Sequence, residues 1–242
     1  KELGATPILC SVVGKDDAGK SLSKLLKKNR MRSDGILISS KRITSIKTRV
    51  LSKSHQLVRY DSEMTDDLAK DDEKKLLGLI LSFIKKEKPQ AVIFEDYNKG
   101  ILTEALITSV IELCRKKNIF TAVDPKKKNF FHYQHADLFK PNLREVQEAL
   151  HLTIDPSKFD DLHLAHHHLM LKLHHRMTMI TLSDHGIYFQ EGTITGVVPA
   201  HKRDISDVSG AGDTVVSIAS LCIALNLPPK QIAALSNLGG GL

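Results

Sequence analysis

The run Asp207-Val-Ser-Gly-Ala-Gly-Asp213-Thr214, followed at once by the apolar stretch Val215 to Leu225, places a carboxylate among small residues that open a helix. Bare backbone N–H groups at the positive end of a helix dipole hold an anion with no side chain in the way. An Asp repels a phosphate that merely binds there. Its presence points to a base that takes a proton from a hydroxyl as that hydroxyl attacks a phosphoryl group, while the N–H groups of Gly210, Ala211 and Gly212 steady the charge on the transferring oxygens. A glycine-rich turn before a buried helix, with Asp213 serving only the helix dipole, has the same residues.

Such a base needs a scaffold. Ala18 to Lys28, Asp71 to Lys86, Leu102 to Lys117 and Leu143 to Leu150 read as helices. Thr6 to Val13, Ala91 to Phe94, Phe120 to Val123 and Leu138-Phe139 read as strands, and Arg42 to Ser52 with His55 to Asp61 as a hairpin. Strands alternating with helices predict a mostly parallel α/β sheet with helices on both faces. Ligands of such sheets sit beyond the carboxyl ends of the strands. The segments there are Glu95 to Gly100, Asp124 to Lys126, Lys140 to Glu145 and Ser183 to Gly186, all polar.

Composition excludes other classes. A chain of 242 residues that is 41% hydrophobic and 26% charged buries a substantial core as one domain, and no apolar run approaches the roughly 20 residues of a membrane helix. The net charge of +7 comes from scattered Lys and Arg with 5% aromatic residues, which fits acidic small molecules better than nucleic acid. Cys10, Cys114 and Cys222 are odd in number and lie in apolar surroundings, as expected of reduced thiols in the cytoplasm. The histidines at 163, 166, 167, 168, 174 and 175 read as a solvated helix face, since three adjacent histidines point different ways and no acidic or Cys partner completes a zinc site.

The motif at 207–214 resembles the signature of the ribokinase-type (PfkB) sugar kinases. Asn142-Leu143-Arg144-Glu145 resembles that family's Asn-x-x-Glu element, and Thr181 to Gly186 its nucleotide-side strand turn. Lys47 to Val50, His55 to Glu63, Asp96 to Gly100 and Val123 to Lys126 resemble the branch that acts on D-glycero-β-D-manno-heptose 7-phosphate. The resemblance runs from Leu3 to Leu242. It implies a ribokinase-like three-layer α/β sandwich in one domain, with residues 42–63 as a small lid hairpin, and with the family's first strand and glycine-rich element preceding Lys1. It further implies ATP-dependent phosphorylation of the sugar's anomeric hydroxyl, in lipopolysaccharide core precursor synthesis.

The implied roles fall on particular residues. Asp213 is the base, with Gly210, Ala211 and Gly212 as the anion cradle. Asn142, Leu143, Arg144, Glu145, Ser183, Gly186 and Asn237 face the nucleotide, and Asn142 with Glu145 orients Mg²⁺ through its water shell. Asn142 and Glu145 also have the spacing of a helix-capping box. Lys47, Arg49, Gln56, Arg59, Asp96 and Lys99 face the sugar phosphate. Partners are thus ATP and a sugar phosphate, without nucleic acid or membrane. The hairpin is a lid or, through its open edges, a homodimer contact.

Overall fold

The computed structural model describes residues 1–52, 55–200 and 210–241. The chain divides into two compact units, residues 1–88 with 99–106 and residues 89–98 with 107–242.

In the first unit, strand β1 (Ser11–Gly14) pairs in parallel with β2 (Ile36–Ser39), the two joined through helix α1 (Asp17–Lys28). Asp16 caps α1 by accepting from Gly19 N at 2.8 Å and also accepts from Thr44 N and Thr44 Oγ1, so one carboxylate ties the helix start to a distant loop. Of the expected strand from Thr6 to Val13 only Ser11, Val12 and Val13 are paired, with Gly14 added beyond it, because β2 is itself four residues long and offers no further ladder partner. Strands β3 (Ile46–Ser52) and β4 (His55–Ser62) form the expected antiparallel hairpin, and α2 (Lys70–Glu87) follows, acidic in its first turn and basic in its last. Gly100 closes the unit: at φ +69° it brings its carbonyl to Leu68 N, and a Cβ there would lie 1.8 Å from Asp66 O.

The second unit is built on one six-stranded sheet. Its elements are β5 (Ala91–Glu95), α3 (Glu104–Lys116), β6 (Phe120–Asp124), β7 (Leu138–Phe139), α4 (Leu143–Leu150), α5 (Phe159–Leu173), β8 (Met177–Thr181), β9 (Ile187–Glu191), β10 (Ile194–Val198), α6 (Ala211–Ala224) and α7 (Pro229–Gly240). The strand order is β10-β9-β8-β7-β6-β5; β5 to β8 run parallel, and β9 and β10 return antiparallel. Period-2 alternation sorts the side chains. Ala122, Leu138, Met177, Met179, Ile187 and Phe189 pack with Val215, Val216 and Ala219 of α6 and Ile232 and Ala233 of α7. Thr178, between Met177 and Met179, instead bonds His166 of α5, so helices cover both faces.

That contact corrects the solvated reading of the histidines. His166 and His175 are buried, and both share the Thr178 hydroxyl, His166 through Nδ1 at 2.7 Å and His175 through Nε2 at 2.5 Å. His163 and His167 do face solvent, as the helical spacing implied. Burial pulls the His166 imidazole down to about 4 and that of His175 to about 3. Both are folded as neutral rings and acquire protons only on unfolding, so their contribution to stability is whole above the unfolded histidine range and is lost as pH falls below it. Each should remove about 1.4 kcal/mol of stability per pH unit between roughly pH 6 and 4.5. Chemical denaturation at pH 7.5 and 5.0 checks this: His166→Gln should flatten the slope, and an unchanged slope would contradict it.

Candidate active site

Parallel strands that end together bring their following residues to one place. Glu95 and Asp124 are direct partners at the ends of β5 and β6, Asp96 N bonds Asp124 O, and Lys140 N bonds Val123 O just past β7. Asn142 makes a single parallel bridge to Thr181 at the end of β8. These ends wall a cavity of about 250 Å³ whose other side is formed by Gly212 and Asp213 at the start of α6.

Gly210 is the N-cap of helix α6 and sits at φ +81°, a left-handed conformation that favours glycine. Its first backbone bond runs from Thr214 N to Gly210 O, so the N–H groups of Ala211, Gly212 and Asp213 emerge at the helix's positive end. Gly212 faces an ion pair: a Cβ there would lie 3.6 Å from Asp124 Oδ2 and 3.7 Å from Lys140 Nζ. Residues 207–209 of the motif lie outside the described residues.

Three carboxylates meet in this cavity. Oxygens of Glu95, Asp124 and Asp213 all lie within 4.8 Å of one another. Burial, then Asp124 and Asp213, pushes the Glu95 carboxyl up to about 7. Two ammonium groups offset the rest. Lys140, 2% exposed, pairs with Asp124 at 3.0 Å, and Lys126 lies 3.7 Å from Asp124 and donates to Glu145. Burial works against the charge on Lys126, but Asp124 and Glu145 outweigh it and raise its basicity.

The residues singled out in the sequence are distributed as follows. Asn142 Oδ1 accepts from Glu145 N and Glu145 Oε2 accepts from Asn142 N, each at 2.8 Å, so the capping box is formed, and Glu145 Oε1 also accepts from Lys126. Arg144 is exposed and pairs with Glu148, while Leu143 beside it is half-buried. Ser183 and Gly186 bracket a single 3-10 turn after β8, with Thr181 rather than either of them on the cavity wall. Asn237 is buried and donates to Pro199 O at 2.8 Å. Asp96 borders the cavity, but its carboxylate accepts from Asn98 N, Asn129 Nδ2 and Tyr133 Oη, which fixes the turn after β5.

The remaining sugar-side candidates belong to the first unit. Lys47 pairs in register with Asp61, and Arg49 with Arg59, on one face of the hairpin. Arg59 grips Asp61 through two bonds, 2.9 and 2.6 Å. Lys99 pairs with Glu63. The side chain of Gln56 lies outside the described residues. The opposite face carries Ile46, Thr48, Val50, Val58, Tyr60 and Ser62, and Val50, Val58 and Tyr60 are 46%, 54% and 68% exposed.

Tyr97, Lys126 and Lys140 were not among the candidates. Each stands in a segment recognised as following a strand, and the strand-end rule applied to every polar residue there would have found them.

The whole described course of the chain fits one family model, that of the pfkB family carbohydrate kinases, matched over residues 1–241. The chain belongs to this family. It is 36% identical over 235 residues to the bifunctional protein HldE of Helicobacter pylori strain J99, covering 97% of this chain and 50% of that protein. Identity to HldE of Helicobacter acinonychis is 38% over 235 residues, with the same coverage, and to that of Aliarcobacter butzleri 32% over 240 residues, covering 99% of this chain and 49% of that one. The chain thus spans about half the length of the curated relatives it matches. Among solved structures, Escherichia coli phosphofructokinase-2 with fructose-6-phosphate superposes with a TM-score of 0.77 at 18% identity, over 99% of this chain and 77% of that one. Its complex with potassium gives 0.80 at 17% identity, covering 99% and 76%. The ribokinase-like fold expected from the sequence is therefore the fold observed. As a pfkB carbohydrate kinase the chain is an ATP-dependent sugar kinase by class. Among the described residues no helix is long and apolar enough to cross a membrane.

Proposed function

We propose that the chain transfers the γ-phosphoryl group of ATP to the anomeric hydroxyl of D-glycero-β-D-manno-heptose 7-phosphate, giving the 1,7-bisphosphate of lipopolysaccharide core precursor synthesis. The observation that carries this reading is the placement of Asp213 at the N-terminal end of α6, open to a cavity made by the strand ends. In the step, the sugar oxygen forms a bond to the γ-phosphorus as the bond to ADP breaks, and the hydroxyl proton passes to Asp213. The N–H groups at the start of α6 hold the charge that develops on the phosphoryl oxygens, and Lys140 adds a buried positive charge beside them.

The residues fit a nucleotide with Mg²⁺. Gly212 leaves the helix start uncovered, and the cavity offers carboxylate oxygens, the donors that this hard cation takes. When bound, Mg²⁺ would screen the triphosphate charge. Asn142 and Glu145 would orient it through water, with Lys126 holding the Glu145 carboxylate in place. Ser183, Gly186 and Asn237 stay assigned to the nucleotide side.

The sugar assignment rests on the HldE likeness and on the hairpin's charged face. Arg49 is exposed on that face opposite Arg59, whose guanidinium is held by Asp61, and a planar guanidinium can grip a phosphate bidentately. We assign that face, with Lys47, to the substrate's 7-phosphate, and the exposed apolar face to a second copy of the chain as a homodimer contact. The cytoplasm is the compartment that suits the free thiols of Cys10, Cys114 and Cys222. Arg49→Ala should raise the KM for the sugar phosphate about tenfold with kcat little changed, as expected for a lost charge-assisted contact. Val58→Asp should shift sedimentation from dimer to monomer. An unchanged KM, or an unchanged sedimentation coefficient, removes the respective assignment.

Thermal-shift measurements on the full-length protein test the substrate. Heptose 7-phosphate with a non-hydrolysable ATP analogue should raise Tm more than fructose 6-phosphate, ribose or adenosine do. Stabilisation by one of the others alone would reassign the chain to a ribokinase-type kinase of a different sugar or nucleoside.

A further inference from the structure

Tyr97 reaches across the cavity from the end of β5 and donates its hydroxyl hydrogen to Asp213 Oδ2 at 2.7 Å. The two residues stand 116 positions apart, and the sheet brings them together. The turn that carries Tyr97 is unusually well fixed. Asp96, 4% exposed, accepts from Asn98 N at 2.8 Å, Asn129 Nδ2 at 3.0 Å and Tyr133 Oη at 2.8 Å, and Asn98 takes the left-handed conformation at φ +57°. Asn98 Oδ1 in turn accepts from Lys128 N. Burial, then the bond to Asp213, raises the pKa of the phenol, so Tyr97 keeps its proton and remains a donor.

We propose that Tyr97 is the positioning residue of the catalytic base, holding the Asp213 carboxylate so that Oδ1 is left to receive the sugar proton, and that buried Asp96 is the anchor of Tyr97. The inference rests on the base reading of Asp213. A carboxylate flanked by Glu95 and Asp124 is repelled by both, and its side chain at an exposed helix start has other rotamers open to it. The Tyr97 bond selects one. Tyr97 gives up no proton in the step, and the proton removed from the sugar ends on Asp213.

Tyr97→Phe in the full-length protein tests this, since it removes one hydroxyl and little else. Turnover should fall about tenfold while KM for the sugar phosphate and for ATP stay within about twofold, the pattern of an interaction that acts on the reacting geometry alone. In Asp213→Asn, the additional change Tyr97→Phe should cause no further loss, because the group it positions is gone. An unchanged kcat overturns the proposal. So does a raised KM for the sugar phosphate at unchanged kcat, which would make Tyr97 a substrate contact. Failure of the base reading looks different: Asp213→Asn would then keep most of the activity whatever residue stands at 97.

Discussion

Asp213→Asn is expected to lower kcat by about 10³-fold, in the range by which a positioned general base contributes, and to leave nucleotide affinity close to that of the native protein. The change preserves shape and the oxygen that accepts from Tyr97, but it removes the lone pair able to take the proton. The N–H groups of Ala211 and Gly212 and the ammonium of Lys140 are untouched, so binding of the phosphates should persist. Steady-state kinetics with a calorimetric titration of an ATP analogue separates the two. Substantial residual turnover would refute the role of base, and joint loss of binding and turnover would recast Asp213 as a structural residue of the helix start.

Lys140→Met is expected to be the most destabilising single change at the site. The ammonium is 2% exposed and is held by Asp124 at 3.0 Å, with Asp124 itself only 6% exposed. Removing one member of such a pair leaves a carboxylate buried beside Glu95 with less to balance it, and breaking buried pairs in this way costs about 3–5 kcal/mol. Replacing both, Lys140→Met with Asp124→Leu, should recover most of that stability, because a well-packed apolar pair carries no desolvation penalty. Activity should not return, since the buried positive charge next to the start of α6 is missing. Urea denaturation of the two variants checks the energetics. A single variant within about 1 kcal/mol of native would mean that the pair is effectively solvent-screened.

Much of this arrangement was readable from the chain. The alternation of apolar runs with amphipathic helices gave β5 to β7 and α2 to α4 within a few residues, because those segments combine strong periodicity with charge patterns that suit the helix dipole. The Asn142 and Glu145 spacing named the capping box that forms. What stayed hidden depends on partners far along the chain. His166 and His175 look like surface histidines until β8 supplies Thr178 beneath them. Tyr97 and Asp213 share no local signal, and neither do Lys140 and Asp124, which meet only because β6 and β7 pair in register. Asp96 combines the two. A carboxylate directly after a strand invites a ligand role, and this one borders the cavity, but that it also fixes the turn by accepting from Asn98, Asn129 and Tyr133 is announced by nothing local. The hairpin β9–β10 went unread although Gly192 marks a turn between its two apolar strands.

The most direct measurement is the ³¹P NMR spectrum of the product made by the full-length protein from MgATP and D-glycero-β-D-manno-heptose 7-phosphate. The account predicts a second sugar phosphorus, coupled to the anomeric proton, growing in step with ADP. ADP accumulating with no such signal, or a new phosphorus coupled to any other sugar proton, would contradict it.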